Sequence, residues 1–356
     1  MDKPEWQDFA SHFIGYPCNF AYDYTPVFGS FKYCVNNVGD PSVPNNYIIN
    51  SKETELKVIA WFKELWNISP CNSWGYVTSS GTEGNMEGFY MARRVYPEGV
   101  LYHSDQSHYS IGKIADLLRI PSVVVKSQPN GEMDYADFEA SLDTRKPAIV
   151  CATIGTTMMG AHDDVSKIHQ TLERKGMIDK HYIHIDGALD GFFLPLLTYD
   201  MNFKDYAHSI SISCHKFLGV TFPCGVYLMD SKYNTADRFI QYVNTVDNTI
   251  SGSRNGHASV FIWHAIQTIG KSGFEKDVKK CITAAAEMVL HLKKSGVNNV
   301  FRNPNSLTVV LPAPSKEFVE RWGMPVHGNI SHAIVLPHVD KDMRKMFIDE
   351  YLEDIK

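Results

Sequence analysis

The chain has 356 residues, and its 44% hydrophobic and 21% charged residues are ordinary for an enzyme with one large domain and a smaller one. A net charge of −6 at pH 7 argues against a nucleic-acid partner, which would require clustered Lys and Arg. Seven cysteines without a CxxC pair, and no apolar run of about 18 residues, predict no disulfide framework, no zinc ribbon and no membrane span.

Residues 1–50 are rich in aromatic residues, Gly, Pro and Asn and show little periodicity. The first ten, MDKPEWQDFA, contain no secretion signal, so a cytoplasmic location is expected. We predict an extended N-terminal arm with turns, which either wraps a partner subunit and covers a pocket or only follows the surface. From Ser51 the apolar residues recur with helical spacing, and we place the start of a large domain, residues 51–285, at that point.

The next segment is a candidate anion site. It reads WGYVTSSGTEGN and runs from a β-type stretch, Trp74–Thr78, through a loop of small residues into a helix. Unpaired N–H groups and the positive end of the helix dipole at such a junction favour a negatively charged group. Gly81 lets the backbone approach closely, and Thr82 adds a hydroxyl group. Such a loop indicates phosphate binding only in combination with other residues.

Strands and helices then alternate along the chain, which predicts a mostly parallel sheet in an α/β fold. The run PAIVCATIGTT is typical of a buried parallel strand, and its end would bring Thr156 and Thr157 to a site at the sheet edge. His108, in SDQSHYSI, is a candidate to stack over a planar ring and to pass protons. The alternative is a histidine that only bonds the backbone at a helix start.

The runs Tyr182–Ile185 and Ile210–Ser213 are further predicted strands, and each is followed by a side chain that could take part in catalysis. Asp186 follows the first run and Lys216 lies just beyond the second, so both would face the crevice where α/β sheets bind ligands. A lysine amine can form a Schiff base, and an anion opposite the ring nitrogen of pyridoxal phosphate lets the ring withdraw electrons. Together with the anion loop, these residues predict pyridoxal 5'-phosphate as cofactor.

Two other chemistries find no support in the sequence. His181 and His184 lie in the same predicted strand, but no third ligand accompanies them, so no metal site is expected. No GxSxG motif is present, which argues against Ser-His-Asp hydrolysis.

The polar segment after the last strand of the large domain contains further candidates. Tyr242 is a possible proton donor on a closing loop, or an aromatic side chain that only anchors that loop. Ser251, Ser253 and Arg254 could bind a phosphate, also across a dimer interface, or could only cap the loop. Helical spacing then predicts a long helix that leads into a small α+β C-terminal domain, residues 286–356.

Six segments, together and in order, resemble the group II pyridoxal-phosphate-dependent amino-acid decarboxylases. The segments are SSGTEGN, DQSHYSI, ATIGTT, HIDGAL, SISCHK and SGSRNGH. The likeness is greatest to the short branch that contains bacterial histidine decarboxylases and plant serine decarboxylases, and it runs from about Gly15 to the C-terminus. It implies the fold type I, aspartate-aminotransferase-like architecture and an obligate homodimer with active sites at the subunit interface.

The resemblance also implies roles for individual residues by motif position. Lys216 resembles the lysine that holds the cofactor covalently, Asp186 the partner of its ring nitrogen and His108 the histidine that stacks on the ring. Ala188 resembles the small residue beneath the ring, and Thr157 the threonine near the ring hydroxyl. The residues that resemble phosphate ligands are Gly81, Thr82, Ser213 and His215. HIDGAL replaces the HVDAA of aromatic-amino-acid decarboxylases, which disfavours an aromatic substrate.

The expected function is therefore the decarboxylation of an L-amino acid to its amine and carbon dioxide. SWGYVT and TISGSRNGH are similar to the bacterial histidine enzymes, whereas VNNVGDP, NNY and HIDGAL are similar to the plant serine enzymes. We expect L-histidine as the substrate, with L-serine as the alternative.

Transamination or aldol cleavage on the same fold is the next alternative. Many aminotransferases hold the substrate carboxylate with an arginine of the small domain, but Arg302, Arg321 and Arg344 lie in no obvious pocket-facing strand motif. A non-catalytic relative is disfavoured because Asp186, Lys216 and His108 are all present.

Overall fold

The computed structural model describes residues 4–197, 206–234 and 239–356. Within these ranges the α-helices are α1 (Pro4–Ala10), α2 (Lys52–Leu65), α3 (Gly81–Val95), α4 (Ser110–Leu117), α5 (Tyr135–Ser141), α6 (Val165–Arg174), α7 (Asp190–Phe193), α8 (Gly256–Lys294), α9 (Lys316–Trp322) and α10 (Lys341–Asp354). Short 3-10 helices occupy Thr25–Lys32, Pro70–Asn72, Ile178–Lys180, Leu194–Leu196 and Ser231–Tyr233.

The strands in the same ranges are β1 (Ser73–Thr78), β2 (Val100–Ser104), β3 (Ser122–Val125), β4 (Ala148–Thr153), β5 (His181–Asp186), β6 (Ser209–Ser213), β7 (Gly225–Asp230), β8 (Phe239–Ile240), β9 (Thr245–Val246), β10 (Thr308–Pro312), β11 (Val326–His327) and β12 (Ile330–Ile334). Seven of these described strands form one sheet in the order β1-β7-β6-β5-β4-β2-β3. Neighbouring strands from β6 to β3 pair in parallel, and β7 pairs antiparallel with both β6 and β1. The predicted mostly parallel α/β sheet is confirmed.

Both faces of the large sheet are covered, as the continuous apolar strands predict. Along β4, Ile149 and Cys151 join an apolar cluster with residues of α3 and α4, whereas Val150 and Ala152 join the main core on the opposite face. Successive side chains of a strand point to opposite faces, so a strand buried on both sides needs apolar residues at every position. This burial fixes the register that aligns the carboxyl ends of β4, β5 and β6.

The C-terminal part contains a second, antiparallel sheet in the order β10-β12-β11. The helix α8 packs against β10, and α10 contacts both α8 and α9. Its aromatic core includes Trp322 and Phe347, whose ring centroids lie 5.0 Å apart. The helix α8, 39 residues long, connects the two parts and is interrupted by non-helical backbone at Gly270, where φ is +69°. The division of the chain at residues 50 and 285 stays a prediction, and α8 spans the second of these positions.

The N-terminal segment is more regular than the arm expected from its sequence, because it contains α1 and the 3-10 helix Thr25–Lys32. It contacts both sheets. The Ile14 carbonyl accepts a hydrogen bond from the Ile334 N–H at 2.8 Å, and the Asn19 N–H donates to the Lys216 carbonyl at 3.1 Å. The segment therefore ties the end of β6 to the C-terminal sheet. No helix within the described ranges combines the length and apolar composition needed to cross a membrane.

Candidate active site

A cavity of about 840 Å³ lies at the carboxyl ends of β4, β5 and β6, between the large sheet, the N-terminal segment and the C-terminal sheet. It is lined by ten of the candidate residues, namely Gly81, Thr82, His108, Thr156, Thr157, Asp186, Ala188, Ser213, His215 and Lys216. Among the described lining residues, Lys216 is the only lysine and there is no arginine. The structure thus brings most of the sequence-predicted site together in one place.

Lys216 is held at the cavity wall by its main chain. Its carbonyl accepts hydrogen bonds from the N–H groups of Asn19 and Gly219, both at 3.1 Å. Burial lowers the pKa of the Lys216 amine, while the carboxylates of Asp186 and Asp190 oppose that change. A lowered pKa increases the share of neutral amine, which is the nucleophilic form.

Asp186 is buried at the end of β5 and its two oxygens are both bonded. Oδ2 accepts a hydrogen bond from Asn85 Nδ2 at 2.9 Å, and Oδ1 accepts one from the Ala188 N–H at 3.2 Å. In the sheet, Asp186 pairs with Thr153 of β4 and with Ser211 of β6. The carboxylate is therefore fixed in orientation before any ligand binds.

A buried chain of hydrogen bonds extends behind Asp186. His184 Nε2 lies 3.0 Å from Asn85 Oδ1, and His184 Nδ1 lies 2.8 Å from Ser209 Oγ. Burial lowers the pKa of His184 to about 3, so the ring is neutral at pH 7. Since an amide oxygen only accepts, Nε2 carries the proton, and Asn85 must present its NH₂ group to Asp186. The sequence interpretation missed Asn85 and considered His184 only as a metal ligand.

The loop between β1 and α3 has the predicted strand-to-helix form. Ser80 caps α3 by accepting a hydrogen bond from the Glu83 N–H at 3.2 Å, and the first N–H groups of the helix, at Gly81 and Thr82, have no partner within the helix. A Cβ on Gly81 would lie only 2.4 Å from Ser213 Oγ, so a larger residue would require the Ser213 hydroxyl to turn away from its present position. His215 completes this wall, with Nδ1 3.0 Å from the Cys224 carbonyl oxygen.

His108 and the threonines line the same cavity. His108 lies just before α4, and its Nδ1 is 2.7 Å from Ser110 Oγ and accepts from the Ser110 N–H at 3.3 Å. Burial lowers the pKa of His108, which favours a neutral ring. Thr157 is exposed to the cavity, whereas the Thr156 hydroxyl accepts a hydrogen bond from the Ala161 N–H at 2.9 Å and serves its own loop.

Four candidates of the polar segment lie away from this cavity. Tyr242 is 84% exposed, and Ser253 accepts a hydrogen bond from Asn36 at 3.1 Å at the surface. Ser251 donates to Glu83 Oε1 at 3.4 Å. Arg254 forms a buried ion pair with Glu55 and donates to the Gly39 carbonyl at 2.9 Å, so it supports the fold instead of facing the cavity.

The donor set matches what pyridoxal 5'-phosphate needs. It combines an amine for the aldehyde, a fixed carboxylate for the ring nitrogen, an imidazole beside them and helix N–H groups with hydroxyls for a phosphate. Gly81 and Thr82, the first two residues of α3, line the cavity. Among the described residues no group of three His, Cys, Asp or Glu side chains is placed to hold a metal ion.

Comparison with known proteins gives a family match over most of the chain. Residues 50–311 match the family model described as "Pyridoxal-dependent decarboxylase conserved domain". Serine decarboxylase 3 of Oryza sativa subsp. japonica is 44% identical over 345 residues, which cover 95% of this chain and 77% of that protein. Histidine decarboxylase of Pseudomonas entomophila is 39% identical over 350 residues, which cover 96% and 86%.

A solved structure supports the same fold. L-methionine decarboxylase from Streptomyces sp. 590, in its internal aldimine form, superposes with a TM-score of 0.88 at 22% identity, and the match covers 98% of this chain and 92% of that one.

Proposed function

Because this chain belongs to the pyridoxal-dependent decarboxylase family, we propose that the cavity around Lys216 removes carbon dioxide from a small polar L-amino acid. The protein is a pyridoxal-phosphate-dependent amino-acid decarboxylase of fold type I, as the sequence predicted. The observation that best supports the proposed site is the placement of Lys216 and Asp186 on the wall of one cavity, at the ends of adjacent parallel strands.

The proposed roles of the lining residues follow their positions. Lys216 would hold the cofactor through Nζ, and Asp186 would pair with the ring nitrogen. His108 would stack on the ring, and Ala188 would be the small residue beneath it. Thr157 would bond the ring hydroxyl, and Gly81, Thr82, Ser213 and His215 would supply the phosphate contacts.

The chemistry supplied by the bound cofactor is withdrawal of the electron pair that departing carbon dioxide leaves at the α-carbon. Asp186, oriented by its hydrogen bonds from Asn85 and the Ala188 N–H, would present its carboxyl group to the ring nitrogen. Lys216 takes and returns a proton at Nζ, and the lowering of its pKa by burial makes that proton easier to give up.

The cavity lining favours decarboxylation over transamination. The described lining residues contain no arginine, and Arg302, Arg321 and Arg344 bond groups elsewhere. A tight ion pair to the substrate carboxylate would stabilise the ground state and oppose its loss as neutral carbon dioxide. A site without that clamp therefore suits a reaction in which the carboxylate leaves.

For the substrate we propose L-serine first and L-histidine second. The rice relatives named serine decarboxylase 3, 1 and 2 are 44%, 40% and 37% identical, and the bacterial relatives named histidine decarboxylase are 39–40% identical, so the highest of these identities is to a serine enzyme. The HIDGAL segment, which is similar to the plant serine enzymes, carries Asp186 and so belongs to the cavity wall. This order reverses the one expected from the sequence motifs.

A panel of L-amino acids tests the substrate directly. We expect carbon dioxide release from L-serine to exceed that from L-histidine by at least about 10²-fold in kcat/KM, since a pocket that bonds one polar side chain leaves its groups unpaired with another. The amine product is identified in the same samples. A preference for L-histidine would show that the proposed substrate is wrong while decarboxylation is retained. A keto acid product without carbon dioxide would overturn decarboxylation.

We also propose a homodimer in which Tyr242 and Ser253 serve the cavity of the partner subunit. Tyr242 and Ser253 are both exposed in the single chain, which agrees with a role in the cavity of the partner subunit. Tyr242 would then donate a proton to the α-carbon from across the interface.

Subunit mixing tests this arrangement. Lys216→Ala and Tyr242→Phe chains are expected to be inactive alone, and a co-refolded or co-expressed mixture should regain carbon dioxide release in sites that combine one intact residue from each chain. If the mixture gains nothing although mixed dimers are isolated by two affinity tags, Tyr242 does not act across the interface.

A further inference from the structure

The cavity contains a second carboxylate near Lys216 that the proposed roles do not use. Asp190 is the first residue of α7, its side chain is 1% exposed, and it lines the same cavity. Its Oδ2 lies 2.7 Å from His162 Nε2. Its Oδ1 is buried and accepts no hydrogen bond from any described residue. A buried carboxylate oxygen without a partner is costly, which indicates that it meets a positive charge when the site is complete.

The backbone around Asp190 is built to admit the carboxyl group. Gly155 has φ of +92°, and a Cβ at that position would lie 2.6 Å from Asp190 Cγ. Any other residue would therefore collide with the carboxyl group in addition to straining the loop. His162 lies opposite Ile154 in an isolated β-bridge, so its ring is carried by the same loop that makes room for Asp190.

We propose that Asp190, oriented by His162, is a positioning residue that keeps the nitrogen of Lys216 positively charged. This inference rests on the proposed function, since it concerns the nitrogen that holds the cofactor. The positive charge that Asp190 would pair with is therefore the nitrogen of Lys216.

The electrostatics of the site support this role. The groups that act on Lys216 are Asp186, Asp190 and Cys18, and Lys216 in turn acts on His108 and His215. Burial lowers the pKa of Lys216, and the two aspartates raise it, Asp186 more than Asp190. When Asp186 is paired with the cofactor's ring nitrogen, Asp190 is the carboxylate left to balance a charge at Nζ.

Asp190 itself is kept available as an anion by its partner. Burial raises the pKa of Asp190, while the hydrogen bond and charge of His162, and then the charge of Lys216, oppose that rise. Removing His162 should therefore favour protonated Asp190 and weaken its effect on Nζ. A charge at Nζ makes the carbon bonded to it more electrophilic, so the pair would extend the pH range in which substrate can displace Lys216.

The test is a pH titration of the visible absorption of the holoenzyme without substrate, which reports the proton on the nitrogen of Lys216. In Asp190→Asn we expect the apparent pKa of that nitrogen to fall by about one pH unit or more, a tenfold loss of proton affinity. Asp190→Glu should recover part of the shift because it restores the charge. His162→Gln should shift the titration in the same direction by a smaller amount.

The matched control is Asp163→Asn. Asp163 is a buried carboxylate beside His162 that accepts hydrogen bonds from the N–H groups of Met133 and Thr153, both at 2.8 Å, and it is not among the described residues that line the cavity. Burial raises the pKa of Asp163 to about 7, and Asp163 is not among the groups whose charge acts on Lys216, so an amide there should leave the proton on Nζ unchanged. Its titration should match the wild type.

Superimposable titrations of wild-type protein and Asp190→Asn, with the cofactor retained and the circular dichroism unchanged, would overturn the proposal. If Asp190→Asn does not fold, an unshifted titration of His162→Gln has the same meaning. Either failure is distinct from failure of the proposed function, because wild-type colour and carbon dioxide release are measured in the same preparations.

Discussion

Replacing Lys216 with alanine is expected to abolish the visible absorption of bound cofactor and to reduce carbon dioxide release on the order of 10⁶-fold, the size of effect seen when a covalent nucleophile is removed. The reason is that no other described residue of the cavity wall offers a primary amine. Phosphate contacts at the start of α3 remain in the variant, so some cofactor should still bind without a covalent bond. Absorption spectra and carbon dioxide measurements on the purified variant check both effects.

Lys63→Ala is the matched control for this experiment. Burial lowers the pKa of Lys63 as it does that of Lys216, but Lys63 Nζ donates to the Ser73 carbonyl at 2.8 Å, and Lys63 is not among the residues that line the cavity. The visible absorption of Lys63→Ala should equal that of the wild type. A Lys216→Ala protein with an unchanged visible spectrum would remove the assignment of the site.

The second large effect is expected for Asp186→Ala, which should lose about 10²–10³-fold in kcat, the range typical of removing one preorganised electrostatic group. The cofactor should be partly retained because Lys216 and the phosphate contacts are intact. Without the carboxylate the ring nitrogen loses its proton more readily and withdraws electrons less well. Steady-state kinetics and cofactor content, measured on the same samples, separate turnover from binding.

Asp186→Glu and Asn85→Ala refine this result. The glutamate keeps the charge but displaces it, and the alanine keeps the charge but removes the 2.9 Å hydrogen bond that orients it. Both should lie between the wild type and Asp186→Ala. Wild-type turnover in Asp186→Ala would refute the role of this carboxylate.

The sequence was sufficient to predict the site's frame because parallel strands place their carboxyl ends at one edge. Asp186 ends β5 and pairs with Ser211 of β6, two residues before Ser213 and five before Lys216. Strand periodicity and the residues that follow each strand are local properties. These features could therefore be predicted from the sequence alone.

Contacts between segments that are distant in the sequence could not be predicted in the same way. Asn85 meets His184 and Asp186 only because α3 packs across β5 and β6, and the sequence spacing of about a hundred residues carries no sign of it. The pairing of Asp190 with His162 likewise depends on the loop after β4. One local signal existed, since Asp190 follows Asp186 by four residues, but an aspartate at the start of a helix is also a common capping residue.

The central claim is that Lys216 is the residue that binds the cofactor, and peptide mapping after borohydride reduction tests it most directly. Reduction makes the bond between the lysine nitrogen and the cofactor permanent, so the attachment site can be read by mass spectrometry of the digest. We predict the cofactor mass on the peptide that contains Lys216, in the wild type and in Asp186→Ala alike. Cofactor mass on a different lysine, or on none in a coloured and active preparation, would contradict the account.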